Sequence, residues 1–211
     1  MVDEESTSMP TQDNPQAALA GGTRPKRKRH TFVCPWWGGY FIDNPLRRLL
    51  HNPEAILGRF VGPAMTVMDV GCGMGYFAIA MAKRVGDQGR VIAVDLQQPM
   101  LDVLRRRAER AGVADRIEVH RCESNRLGVH VQADFALAFA MLHEVPDQQR
   151  LLGEIHACLK PGGRLLVAEP RLHVSGRAFR RSVAWGEEVG LGVVPEEPLV
   201  RWFRAAVFRK Q

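Results

Sequence analysis

The chain predicts an α/β domain built on a mostly parallel sheet. Short apolar runs of strand type recur seven times, at 65–70, 90–95, 117–120, 135–139, 164–169, 192–194 and 204–209. Helical stretches at 74–86, 98–112, 147–159 and 175–189 fall between most of them, and strands alternating with helices imply parallel pairing. The first strand runs into a glycine-rich turn, and the second ends on an acid. At 211 residues with 45% hydrophobic content the chain can bury a core for one such domain and still carry a tail.

Taken in order, residues 1–30 are polar and aperiodic, and predict a disordered tail. It ends in a compact basic run, Pro25 to His30 within 24–30, read as a solvated charged tail or as a nuclear address. Residues 31–62 form an aromatic and helical N-terminal segment. Cys34-Pro35-Trp36-Trp37-Gly38-Gly39-Tyr40-Phe41 leads into two Asn-Pro helix starts, Asn44-Pro45 and Asn52-Pro53. Asn caps well and Pro suits the first turn, so helices are expected at 45–51 and 53–60, before a break at Gly62-Pro63. The domain proper is 63–211. Within it Pro99 opens the second long helix, and Lys160-Pro161-Gly162-Gly163 stops the third.

The most informative stretch is Val67-Met68-Asp69-Val70-Gly71-Cys72-Gly73-Met74-Gly75-Tyr76-Phe77. Three alternate glycines allow a sharp turn with no Cβ above it, so a ligand can press on the main chain at a helix N-terminus. Asp95 ends the second strand 20 residues after Gly75. That is about the spacing at which a carboxylate reaches the ribose hydroxyls of a bound nucleoside.

Asp69-Val-Gly71-Cys-Gly73-Met-Gly75 resembles motif I of the class I S-adenosylmethionine-dependent methyltransferases. Met141 to Asp147 resembles that family's segment after strand four, and Leu159 to Leu166 its entry to strand five. Over about 60–211 the likeness leans to the small-molecule branch that includes quinone C-methylases. It implies a Rossmann-like, doubly wound seven-strand sheet, mostly parallel with one antiparallel strand at the C-terminus. Dinucleotide dehydrogenases usually carry Gly-x-Gly-x-x-Gly, so the closer spacing here argues against a nicotinamide or flavin.

The resemblance implies S-adenosyl-L-methionine as cofactor and a role for each matched residue. Asp69 would bind the cofactor's ammonium, or else cap the following turn. Gly71, Cys72, Gly73 and Gly75 would shape the loop under the methionine part. Asp95 would accept both ribose hydroxyls, since a carboxylate takes two at once; the other reading is a helix N-cap. Leu96 would pack on adenine or simply fill the core. Where the family often has an Asp, this chain has Cys122-Glu123; Glu123 is placed to accept from the adenine amino group, with Cys122 as a small wall residue. Ala140 follows strand four beside the cofactor. His143 is the candidate catalytic base, or else a residue that holds the loop in shape, with Glu144 the weaker candidate. Trp36, Trp37 and Tyr40 form a candidate lid over a sulfonium and a flat acceptor, or a staple of the N-terminal segment. Methyl transfer asks mainly for positioning and exclusion of water, so few catalytic side chains are expected.

Composition bounds the partners. Cys34, Cys72, Cys122 and Cys158 lack Cys-x-x-Cys spacing, which argues against a metal and for a reducing, cytoplasmic setting. No apolar run approaches the ~20 residues of a membrane span, and no secretory signal is evident. The net charge of +6 is spread over helix faces, at Arg105-Arg106-Arg107 with Arg110 and at Arg177, Arg180 and Arg181. This favours solvated faces over nucleic-acid binding. The expected partner is a small-molecule methyl acceptor, and the chain a monomer or homodimer. Two alternatives remain: a nucleic-acid or protein methyltransferase using the basic tail, and a cofactor-binding, non-catalytic partner subunit. The Asn/Asp-Pro-Pro-Tyr signature of amino-methylating nucleic-acid enzymes is absent, because Ala140-Met141-Leu142-His143 stands in its place.

Overall fold

The computed structural model describes residues 51–196, 198 and 200–211. The tail 1–30, the helix expected before Asn52, and Trp36, Trp37 and Tyr40 lie outside the described residues. The element order is α1 (Pro53–Leu57), β1 (Thr66–Val70), α2 (Tyr76–Val85), β2 (Arg90–Asp95), α3 (Gln98–Arg110), β3 (Ile117–Arg121), β4 (Ala133–Phe139), α4 (Gln148–Cys158), β5 (Leu159–Pro170), α5 (Gly176–Glu188), β6 (Leu191–Val194) and β7 (Phe203–Lys210). Single 3₁₀ turns at Ala114–Arg116 and Leu142–Glu144 complete it.

All seven strands join one sheet in the order β3-β2-β1-β4-β5-β7-β6. β1 pairs in parallel with both β2 and β4, while β7 runs antiparallel to β5 and to β6. The chain therefore winds outward from β1 in both directions, with the single reversed strand at β7. The β1/β4 boundary is the switch point, where the two loops leave in opposite directions and open a crevice at the carboxyl ends.

Side chains alternate across the sheet, and this divides the core in two. Val67, Val91, Ala93, Phe135, Leu137 and Leu166 face α1, α2 and α3. Met68, Val70, Ile92, Ala136, Leu165 and Val167 face α4 and α5. Most are fully buried, at about 1.5–3 kcal/mol for each large aliphatic side chain.

Three boundaries differ from the sequence expectation. α1 is one turn long; Asn52 caps it by accepting from the Glu54 N–H at 3.0 Å with Pro53 behind, but the chain turns at Leu57, whose carbonyl accepts from both Phe60 and Val61. α2 begins at Tyr76 rather than Met74, because Gly75 sits in the left-handed region at φ +86°. Lys160 to Gly163 does not separate α4 from β5. Leu159 pairs with Ala133, and the ladder resumes at Phe135 and Arg164, so the turn is absorbed as an irregularity inside the strand. Gly162 supplies a φ of +76° there, and a Cβ on Gly163 would stand 3.0 Å from the Ala133 carbonyl oxygen.

No helix among the described residues is long and apolar enough to cross a membrane.

Candidate functional site

The loop between β1 and α2 is bound to the end of β2. Gly71 and Cys72 donate their N–H groups to the Val94 carbonyl at 2.8 and 3.0 Å. Gly73 donates to Asp95 Oδ2 at 2.9 Å, while Oδ1 of the same carboxylate accepts from the Gln97 N–H at 2.8 Å. Asp95 thus clamps the glycine loop and the turn before α3 together. It is not the N-cap of α3, which is Gln97.

Each glycine of the loop has a left-handed φ, but the three serve different ends. A Cβ on Gly71 would stand 2.7 Å from Met141 Cγ, and one on Gly75 would stand 2.8 Å from Leu104 Cγ. Gly71 therefore lets the β4 loop close over the turn, and Gly75 lets α2 meet α3. A Cβ on Gly73 would meet only Met100 Sδ, at 3.6 Å. The space above Gly73 is open.

That space is part of a cavity of about 450 Å³ over the carboxyl ends of β1, β2 and β4, within the range of small-molecule sites. Its floor is Gly71, Cys72 and Gly73. Asp95, Leu96 and Met100 form one side, Cys122 to Leu127 a second, and Phe139, Ala140 and Met141 a third. Tyr76 lines it as well.

Burial sets the chemistry of the ionisable groups. It raises the Asp95 carboxyl above the usual aspartate value, against the Gln97 and Gly73 N–H groups, which hold it down. The Cys72 thiol is pushed well up, first by burial and then by Asp69 and Asp95. Cys122 is pushed up to about 11, by burial and Asp95. Neither thiol is a nucleophile at neutral pH.

The residues fit S-adenosylmethionine. Of the three loop glycines, Gly73, with room above it, faces the cavity. A carboxylate offers about four acceptor sites, more than the backbone N–H groups around Asp95 take up. The neighbouring wall of Leu96, Met100 and Met141 offers the apolar surface that an adenine ring needs.

A family model described as a methyltransferase domain matches residues 62–190. The chain belongs to that methyltransferase family. It is a class I, S-adenosylmethionine-dependent member by its motif, its sheet and its relatives. The demethylmenaquinone methyltransferase of Lactiplantibacillus plantarum is 35% identical over 104 residues, 49% of this chain and 44% of that protein. The ubiquinone/menaquinone biosynthesis C-methyltransferase of Bordetella parapertussis is 37% identical over 110 residues, 52% of this chain and 42% of the relative. The chain thus spans less than half the length of the curated relatives it matches. A SAM-dependent methyltransferase from Aquifex aeolicus shares the fold, with a TM-score of 0.76 at 23% identity over 85% of this chain and all of that one.

The methyltransferase brings Gly71, Cys72, Gly73, Asp95, Leu96, Cys122, Glu123 and Ala140 to the lining of one cavity. Asp69 and Gly75 stand behind it. Asp69 is 2% exposed at the end of β1, and Gly75 is covered by Leu104.

Of the two readings of His143 the geometry agrees with the one that holds the loop in shape, while Glu144, the weaker candidate, lines the cavity. His143 does not line it. The cause is the 3₁₀ turn, which rotates successive side chains by a third of a circle. Leu142 enters the core, His143 turns to Glu169, and Glu144 faces the cavity. Glu169, 1% exposed at the end of β5, bonds His143 Nδ1 through Oε2 and accepts the Leu142 N–H through Oε1 at 2.8 Å. That hydrogen bond raises the His143 pKa, against burial, which lowers it; the charges of Glu169 and Glu144 add to the rise.

Sequence reasoning missed Glu169, although a lone acid closing an apolar strand was a visible signal. It also missed the aromatic group beside the cavity. Phe139 stacks on Phe203 at 4.7 Å and touches Phe77 at 4.6 Å, and the His51 ring meets Phe139 and Phe203 edge-on. Tyr76 donates its hydroxyl to the His51 carbonyl at 2.9 Å. These residues lie far apart in the chain, so no local pattern joins them. Ala140 holds a φ of +57° and donates to the Ala168 carbonyl at 2.7 Å. A non-glycine residue in that region marks backbone strain at the wall.

Proposed function

We propose that this methyltransferase transfers a methyl group from S-adenosylmethionine to a small-molecule acceptor, of the flat, lipophilic kind that quinone methylases use. The observation that carries the reading is the clamp of Gly73 by Asp95 at the cavity floor. It leaves a pre-formed carboxylate facing the position a nucleoside would take. When bound, S-adenosylmethionine would supply an electrophilic methyl, to which an acceptor atom bonds in line as the S–CH₃ bond breaks and S-adenosylhomocysteine leaves.

The chain's own residues bind and exclude. Asp95 would accept the ribose hydroxyls, Leu96 would pack on the adenine, and Glu123 would accept from its amino group. Gly71 to Gly73 bring the backbone against the methionine part, and Asp69 biases that end toward the ammonium. Phe139 and Tyr76 form an aromatic wall that repels water from the methyl and attracts a cation by about 0.5–2 kcal/mol. Glu144, one of several carboxylates lining the cavity, would take a proton from an acceptor. His143 positions the loop through Glu169. Trp36, Trp37 and Tyr40 remain the proposed lid.

The likeness to quinone methyltransferases supports the acceptor class, as does the aromatic wall. The test is calorimetry with S-adenosylhomocysteine, followed by transfer of labelled methyl to a panel of hydroxylated and quinoid aromatics. Binding with transfer to RNA or protein alone would favour the macromolecular alternative. Binding with no transfer to any acceptor would favour the partner-subunit reading.

A further inference from the structure

The rim beside β5 and β7 carries an uncommon surface. Leu172 is 97% exposed and Trp202 is 73% exposed. They lie on adjoining turns, because the Arg171 N–H donates to the Trp202 carbonyl at 3.2 Å and Arg171 Nε to the Phe203 carbonyl at 3.1 Å. Trp202 is held at a φ of +64°. A bulky residue in the left-handed region costs free energy, and here that conformation accompanies an indole displayed to solvent. Hydration alone would select neither.

Basic residues surround the pair. Arg171, Arg177, Arg180 and Arg201 are exposed, and the guanidinium groups of Arg180 and Arg204 both approach Gly176 at the start of α5. Neither Pro170 to Gly186 nor Pro198 to Gln211 contains an acid. The surface is therefore positive and apolar together. The patch also adjoins the cavity: Phe203, next to Trp202, stacks on Phe139 of the cavity wall.

We infer that Leu172 and Trp202, with the arginines around them, dock this chain on an anionic lipid bilayer, with the cavity mouth facing the membrane. Exposed Trp and Leu enter the interfacial layer while arginines meet lipid phosphates. No described helix can span a bilayer, and the contact we infer is a peripheral one. A nucleic acid would engage the arginines but would leave an isolated Leu at 97% exposure without a role. Docking does not depend on methyl transfer, so failure of one leaves the other standing.

Flotation of the full-length chain with vesicles of phosphatidylcholine, with and without phosphatidylglycerol, tests this. Binding is expected only with the anionic lipid and should weaken with salt. Leu172→Ser with Trp202→Ala should weaken it by about tenfold or more, the loss expected from removing two buried apolar side chains. Affinity for S-adenosylhomocysteine and the melting temperature should stay as they were. If the double variant melts early, Leu172→Ser alone carries the test. Failure to float overturns the proposal. So does binding that ignores both substitutions, which would place it on the basic run 25–29. Tighter binding to RNA or DNA than to vesicles, insensitive to Leu172 and Trp202, overturns it as well.

Discussion

Replacing Asp95 should separate the cofactor's contribution from that of the fold. Its carboxylate, 8% exposed, accepts two backbone N–H bonds, at 2.9 Å from Gly73 and 2.8 Å from Gln97. Asp95→Ala leaves both donors without that partner, at about 1–3 kcal/mol each if water cannot reach them. Removing the carboxylate also relieves its own burial, which already raises its pKa. The net loss of stability should thus be small, about 1–2 kcal/mol, or about 2–8 °C in melting temperature for a domain of this size. Cofactor binding loses more. Two charge-assisted bonds to ribose hydroxyls disappear, about 1.5–3 kcal/mol in all, which is about 10- to 150-fold in affinity. Asp95→Asn should fall between, because the amide keeps one acceptor and turns an NH₂ toward a backbone donor. Calorimetry with S-adenosylhomocysteine, beside thermal melting of each variant, reads both effects. Affinities within twofold of the parent chain in both variants would show that this carboxylate holds only the loop, and the cofactor assignment at this position would fail.

Further tests follow from the same geometry. Gly73→Val should abolish measurable cofactor binding, because a branched side chain would enter the open space above the loop at a φ of +53°; calorimetry decides it. Glu169→Ala should cost about 2–3 kcal/mol in urea unfolding, since it strands the Leu142 N–H and the His143 ring. The His143–Glu169 pair should also make stability depend on pH. A histidine whose folded pKa is raised contributes fully below its unfolded value of about 6.5 and loses that contribution as pH rises through the folded pKa. The stability gap between the parent chain and His143→Gln should therefore be widest in mild acid and narrow toward alkaline pH; a gap that widened instead would contradict the assignment. Cys122, at about 11, and Cys72, pushed well up, should alkylate far more slowly than a free thiol at pH 8, as mass spectrometry of iodoacetamide adducts would show.

Most of the fold was legible because its signals are local. Strand and helix periods lie within a few residues, and the glycine spacing with Asp95 marks a candidate nucleoside site on two adjacent strand ends. Seven strands and eight of the candidate cofactor residues around one cavity follow from those patterns. Where reading left alternatives open or failed, a rotation or a long-range pairing was at work. One 3₁₀ turn directs His143 to Glu169 and Glu144 to the cavity, a choice that the sequence left open. The ladder between β4 and β5 absorbed Lys160 to Gly163, because pairing across the sheet outweighs the local turn preference.

By itself, then, the sequence determined the class of the sheet and the position of its nucleotide-type loop, since these depend on backbone freedom and side-chain period. Only the tertiary structure decided which carboxylate faces the cavity, which one is buried under a histidine, and that His51, Phe139 and Phe203 meet beside the mouth. Those facts depend on the direction of side chains from segments up to 152 positions apart, from His51 to Phe203. That direction is set by packing, to which no single segment has access.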